Sequence, residues 1–217
     1  FNESHFGKTI ARTYFDEREF NDETLKKFEI GSLGSEKYNL RDHCLSMGYN
    51  TDDLEALGLI SSKNQMDIYR SRLIFPIKSI SGRTIGFGAR ILDNNKKSAK
   101  YINSPDSIIY NKSNVLFGLY NSKNEIVKKD NCFIAEGYTD VMRFHQIGIK
   151  NIVSSSGTAL TVSQINLIRR LTKNVTMLFD SDKAGVNATE RAVELLLSQG
   201  MNIDICILPD SEDPDSF

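Results

Sequence analysis

Between Cys132 and Leu208, four short apolar runs alternate with three stretches of helical pattern, and this alternation restricts the fold more than any other feature of the chain. The runs are Cys132–Ala135 (CFIA), Asn151–Ser155 (NIVSS), Val175–Phe179 (VTMLF) and Ile203–Leu208 (IDICIL). Between them, Asp140–Gly148 reads as a helix ended by its glycine. Thr161–Leu171 reads as a second, with Thr161 and Gln164 at capping-box spacing. Ala188–Gln199 reads as a third, with apolar Ala192, Val193, Leu196 and Leu197 and a closing Gly200. Short apolar strands separated by helices predict a parallel sheet covered on both faces.

In such a sheet, ligands bind beyond the carboxyl ends of the strands, and this sequence places its acids there. Glu136 follows the first run in EGYTD, Asp180 and Asp182 follow the third in DSD, and Asp213 and Asp215 come shortly after the fourth in EDPD. Clustered carboxylates repel one another and need a cation to stay ionised together. An all-oxygen set favours Mg²⁺ or Mn²⁺, and no nearby thiolates or imidazoles suit zinc. A divalent pair held in this way can activate a 3′-hydroxyl and stabilise a pyrophosphate leaving group. Each motif alone has a plainer reading. A lone DxD also serves as a solvated turn or helix N-cap, and EGYTD as a strand end with Asp140 in the first helical turn, where the macrodipole favours it.

The preceding half is less regular and reads as α+β. Asp22–Phe28, Leu40–Met47 and Asp52–Ala56 are predicted short helices. Arg72–Ile80 and Arg83–Leu92 are predicted strands joined by a tight turn at Ser81–Gly82. Arg70, Arg72, Arg90, Lys100 and Lys112 are interleaved there with aromatics and glycines. Such cations can bind phosphates, and Tyr101 and Asn103 can add stacking and base or sugar hydrogen bonds. Gly86 and Gly88 allow a nucleic-acid chain close to the backbone. A pair of amphipathic strands with solvated charges would carry the same residues. Lys96–Lys100 (KKSAK) reads as a flexible basic loop.

Lys+Arg is 27 against 28 Asp+Glu, giving a net charge of -1. The chain is therefore not a uniformly basic nucleic-acid binder, although an acidic metal site can sit beside a basic groove. Its 217 residues, 40% hydrophobic, can bury one large core or two small ones. Cys44, Cys132 and Cys206 form no CxxC pair, so neither zinc nor a disulfide framework is expected, and a reducing compartment fits best. No apolar stretch approaches the roughly 20 residues of a membrane span, and no signal peptide is read. No membrane partner and a cytoplasmic location are therefore expected. Phe1 and the acidic run before Phe217 read as the ends of a piece cut from a longer protein. His5, His43 and His145 lack ligand spacing, and His145 is expected to be packed or on the surface. Ser154–Gly157 (SSSG) has no His/Asp pattern that would make a serine nucleophile. Val115–Leu119 is expected in the core.

EGYTD followed by FDSDKAG in a βαβ frame resembles the Toprim domain of primases, topoisomerases and some nucleases. The resemblance implies Glu136 as general acid/base or metal ligand, Asp180 and Asp182 as Mg²⁺ ligands and Asp140 as a supporting acid. Gly137 is expected to let the backbone turn sharply after Glu136. Ser181 stands where the primase form usually has glycine; it is small and turn-compatible. Ser155–Thr161 (SSGTALT) resembles the primase loop after the second Toprim strand. In the first half, DEREFNDETLKKFEIG (Asp16–Gly31), YRSRLIFPI (Tyr69–Ile77), GRTIGFGARIL (Gly82–Leu92) and KYINSPDSIIYNKSNVLFGL (Lys100–Leu119) resemble, in order, segments of the catalytic core of bacterial DnaG-type DNA primases. Together these cover nearly the whole chain.

The family resemblance implies a mixed α+β basic subdomain over residues 1–125 and a Toprim subdomain, a Rossmann-like parallel sheet, over 126–217 and truncated at its C-terminus. The divide is expected near Lys123–Asp130, with a cleft between the parts. Arg70, Arg72, Arg90, Lys100, Tyr101, Asn103, Lys112 and Tyr138 are expected to line the groove for template and nucleotides. The implied reaction is Mg²⁺- or Mn²⁺-dependent synthesis of RNA primers from NTPs on single-stranded DNA, leaving an RNA–DNA hybrid. Members carry a zinc-binding domain before this core and a helicase-binding domain after it. Zinc is therefore not expected here, and the replicative helicase is expected to be met only through a domain outside this stretch. Two other classes stay open: a Toprim nuclease or topoisomerase, and a non-catalytic single-strand-binding module.

Overall fold

The computed structural model of the chain describes residues 7–92, 98–179 and 183–207. It divides into two compact units, one made of the residues up to Ile77 with Thr84–Lys112, the other of Lys78–Arg83 and the residues from Ser113 onward.

In the first unit a π-type turn at Gly7–Ala11 leads into α1 (Arg12–Asp16), followed by α2 (Asp22–Lys27), β1 (Gly31–Leu33), α3 (Asn39–Ser46), α4 (Thr51–Ala56), β2 (Arg72–Lys78), β3 (Thr84–Ile91) and β4 (Tyr101–Asn103). Asn21 and Asn50 cap α2 and α4 by accepting the N–H of the third residue onward. Helix α3 has no side-chain cap of its own. Asp67, only 1% exposed, supplies one from outside, accepting from the N–H groups of Leu40 (2.7 Å) and Arg41 (3.0 Å). The sheet runs β1-β2-β3-β4. Leu73, Phe75 and Ile77 alternate inward along β2 and are buried with Phe15, Ile60 and Tyr110. Pro76 is tolerated in β2 because β1 pairs no further along it than Ile74, so the strand is an edge there.

In the second unit, α5 (Leu119–Lys129), β5 (Cys132–Ala135), α6 (Tyr138–Gln146), β6 (Ile152–Ser154), α7 (Val162–Arg169), β7 (Asn174–Phe179), α8 (Lys183–Ser198) and β8 (Asn202–Ile207) follow in order. All four strands are parallel, in the order β6-β5-β7-β8, as the alternation predicts. Helix α5 was not foreseen: the stretch from Lys123 to Asp130, where the sequence reading divides the chain, is its second half and its C-cap. The turn between β2 and β3 belongs to this unit. Lys123 Nζ donates to the Ile80 carbonyl (2.8 Å), and Gly82, at φ 93°, lies where a Cβ would come within 2.6 Å of the Tyr120 ring.

The core gathers Leu116, Ile126, Ile134, Val153, Ile165 and Leu196. Leu116, Phe117 and Leu119 are buried as the apolar cluster predicts. Gly118 opens α5 at φ 83°, and a Cβ there would meet Val141 Cγ1 at 2.7 Å. His145 is 4% exposed, and its Nε2 lies 2.9 Å from Ser122 Oγ. That hydroxyl donates to the Ile152 carbonyl (2.6 Å), so the imidazole is the donor in the pair. The capping box at α7 forms as the spacing predicts. Its two side chains also reach the carbonyls of Ser113 (2.6 Å) and Val115 (2.8 Å).

Candidate active site

The connections of the parallel sheet locate its crevice. Strand β5 exits to β6 on one side, and β7 exits to β8 on the other. Adjacent strands whose connections leave in opposite directions open a cleft at their carboxyl ends. Here that cleft lies between the ends of β5 and β7. Glu136 is the first residue after β5, and its side chain is exposed. The register pairs Ile134 with Met177. Two residues further along, Glu136 comes level with Phe179, one residue before Asp180. Phe179 is the last residue of β7, and Asp180, Asp182, Asp213 and Asp215 lie outside the described residues. Among the described residues, no three His, Cys, Asp or Glu side chains gather as a metal site.

Asp140 caps the first turn of α6, and Gly137 takes a different part from the one the sequence suggests. Asp140 is 8% exposed, and its Oδ2 accepts the Gly137 N–H at 2.7 Å across the first turn of α6. This is the plainer reading of EGYTD, and the carboxylate also suits the positive end of the helix. Gly137 has φ -111° and ψ 170°, extended backbone open to any residue, so no sharp turn calls for it. The glycine leaves room instead: a Cβ would lie 3.2 Å from Asp140 Oδ2. Tyr138, expected to line the groove, is 2% exposed, with its ring nearly perpendicular to that of Phe117 at 4.8 Å between centroids.

The cations of the first unit fall into two sets. Arg72 is 6% exposed, and its Nη1 donates to the carbonyls of Ala99 (3.0 Å) and Lys100 (3.5 Å). Burial lowers its pKa from the ordinary guanidinium value. Its charge is turned inward and fixes the backbone that leads into β4. Lys100 itself is exposed. Arg90 is half-buried over the rings of Tyr14 (4.4 Å) and Tyr101 (5.6 Å), and donates to both phenol oxygens. Tyr14, 76 residues from Arg90, carries no motif, and its part in holding the guanidinium could not be read from sequence. Arg70 donates to the Asp67 carbonyl (2.8 Å). Asn103 pairs with Gly88 in the sheet, and the Lys112 N–H donates to Asp106 Oδ1 (2.9 Å). Gly86 was expected to admit a nucleic-acid chain. It is buried, and a Cβ there would lie 2.8 Å from the Tyr110 ring, so its close neighbour is that side chain. The Tyr110 hydroxyl is pushed up to about 12, chiefly by burial and then by Asp106 and Tyr69.

The family model described as the DNA primase catalytic core, N-terminal domain, matches residues 2–123. The chain belongs to the DNA primase family. A Toprim-like model matches residues 133–217. A DNA primase of Clostridium acetobutylicum is 40% identical over 210 residues, covering 95% of this chain and 35% of the relative. The chain thus spans about a third of that primase's length. The RNA polymerase domain of Mycobacterium tuberculosis primase DnaG superposes with a TM-score of 0.90 at 33% identity, covering 99% of this chain and 72% of that one. A DnaG primase catalytic domain solved bound to ssDNA superposes with a TM-score of 0.88 at 34% identity, covering 100% and 68%. The mixed architecture, an antiparallel sheet in one unit and a parallel sheet in the other, is that of primase catalytic cores. Among the described residues no helix is long and apolar enough to cross a membrane.

Proposed function

We propose that this chain is the RNA-polymerising core of a primase, joining ribonucleotides into short primers on a single-stranded DNA template in the cytoplasm. One observation carries the reading. In a chain of the primase family, an exposed glutamate stands at the switch point of a parallel sheet, beside a strand that an Asp-x-Asp pair follows in the sequence. The relative bound to ssDNA supports the choice of template.

On this reading Glu136, Asp180 and Asp182 hold the catalytic divalent cation, with Asp213 and Asp215 as further ligands and Asp140 as their support. The donors are all carboxylates, a set that fits Mg²⁺ or Mn²⁺. An ion held there would supply charge neutralisation at the triphosphate and would lower the pKa of a 3′-hydroxyl. The protein's own contribution is positioning. Lys100, Arg90, Arg70 and Lys112 take template or nucleotide phosphates, and Tyr101 and Asn103 meet a base or sugar. Arg72 acts on the same surface indirectly, by fixing the backbone from which Lys100 projects. The incoming NTP loses pyrophosphate as the 3′-oxygen attacks its α-phosphate, and an RNA–DNA hybrid is left. Contact with the replicative helicase belongs to a part of the protein outside this chain.

Asp180→Ala tests the reading. Primer synthesis is expected to vanish, while single-stranded DNA binding followed by fluorescence anisotropy is retained. Synthesis at the unsubstituted rate would remove the acids from the mechanism and leave a binding module.

A further inference from the structure

Ser154 is a buried hydroxyl at the end of an apolar strand, with 0% of its surface exposed. Burying a hydroxyl costs free energy unless it is well bonded, and this one is bonded toward the site. Its Oγ donates to the Glu136 carbonyl at 2.6 Å and accepts the Ser156 N–H at 2.8 Å. Its own backbone is fixed by two hydrogen bonds with Phe117, at 3.0 and 2.9 Å.

The Glu136 carbonyl and the Gly137 N–H belong to one planar peptide unit. Its oxygen accepts from Ser154 Oγ and from the Gly157 N–H (3.2 Å). Its N–H donates to Asp140. The plane is thus gripped at both ends, from β6 and the loop after it and from the first turn of α6. The loop is shaped for the task. Ser156 and Gly157 take φ of 61° and 72°, and Ser155 and Thr158 exchange hydroxyl-to-carbonyl bonds of 2.7 Å. Fixing this plane fixes the ψ angle of Glu136, and so the direction in which its carboxylate leaves the end of β5.

We infer that Ser154 is a positioning residue for Glu136: its hydroxyl, working against Asp140, sets the peptide plane that aims the glutamate into the cleft. The inference rests on the reading of Glu136 as a site acid. It differs from that reading in assigning a role to a residue that touches neither substrate nor ion.

The test compares Ser154→Ala, Ser154→Cys and Glu136→Gln in the intact protein. Groups that orient metal-site ligands typically matter by roughly 10- to 100-fold. In Ser154→Ala, kcat for dinucleotide synthesis is expected to fall within that range. KM for NTP and affinity for single-stranded DNA should stay within about twofold, since those contacts lie elsewhere. Ser154→Cys keeps the size with a weaker donor and should fall between the two. A folded Ser154→Ala with wild-type kcat overturns the inference, as does a loss confined to KM. The control separates the two layers: an active Glu136→Gln defeats the acid assignment itself, whereas an inactive Glu136→Gln beside a fully active Ser154→Ala defeats only the positioning role. Should the alanine variant not fold, amide exchange on the unsubstituted protein decides. The Ser156, Gly157 and Gly137 amides are expected to exchange slowly despite lying in loops, and rapid exchange at all three rejects the grip.

Discussion

The two ends of the parallel sheet in the second unit are built from similar polar residues and do opposite things. At the amino end, side chains bond to one another across the strands. Asn174 Nδ2 donates to the Asp130 carbonyl (2.9 Å) and carboxylate (3.0 Å), and its Oδ1 accepts from Asn202 (2.7 Å). Thr172 donates to Asp130 (2.8 Å), Asn131 to Thr176 (3.1 Å) and Asn151 to the Asn131 carbonyl (3.0 Å). At the carboxyl end, the bonds go to the backbone around Glu136, and the Glu136 side chain is left exposed. One end ties strands together, and the other holds the main chain at Glu136 while its side chain stays exposed. The first unit repeats the contrast with cations, Arg72 turned inward and Lys100 outward.

The largest effect expected from this contrast is at Glu136. Glu136→Gln should lower kcat roughly 10²- to 10³-fold, the scale of losing one preorganised electrostatic group. Its thermal midpoint should hardly move, because substitutions of exposed side chains usually stay within about 0.5 kcal/mol. Calorimetry beside a single-turnover assay reads both, and a large loss of stability would place Glu136 with the structural groups. Arg72→Ala comes next, with a loss of about 2–3 kcal/mol of unfolding free energy as the buried stem and its carbonyl bonds go. Asn174→Ala should cost about 1–2 kcal/mol in denaturant unfolding and leave kcat per folded molecule unchanged. A fall in kcat there would show that the amino end is not merely structural. Lys100→Ala should leave unfolding untouched while reducing the salt slope of single-stranded DNA binding by about one. An unchanged slope would take Lys100 off the template path.

What was legible in the sequence follows the same division. The parallel strands could be read because each is a short apolar run between helices, and Cys132–Ala135 has the predicted bounds. Strands β1 and β4 have three residues each, too short for a period to show, and pairing with β2 and β3 forms them. Helix α5 was hidden because it starts at a left-handed glycine without a Ser, Thr, Asp or Asn cap. Its inward face, Leu119, Ser122 and Ile126, also puts a serine where the helical stripe calls for an apolar residue. Glu136 could be singled out as a candidate because it directly follows an apolar run in a motif. Ser154 could not: its hydroxyl acts on a carbonyl 18 residues away, one strand over, and only the register β6-β5 brings the two together. Arg72 looked like its neighbours in the basic half because nothing in RSRLIFPI marks which cation faces the core.

The smallest expected effect is the sharpest test of the contrast. The register places Cys132 opposite Val175, so Asn174 lies level with Asn131 at the amino end, five residues from Glu136 along β5. At about 3.3 Å per residue the two sites stand roughly 17 Å apart. Apolar residues of β5 and β7, among them Cys132, Ile134, Val175 and Met177, lie between the asparagine row and the peptide plane at Glu136. Sites separated by more than about 7–10 Å with no shared partner usually add within about 0.3–0.5 kcal/mol. The double variant Glu136→Gln/Asn174→Ala should therefore lose stability like Asn174→Ala and activity like Glu136→Gln, with no coupling in either. A coupling above about 1 kcal/mol in the rate would mean that the amino end sets the strand position on which the glutamate depends. The two ends would then form one device, and Asn174 would join Ser154 among the groups that aim Glu136.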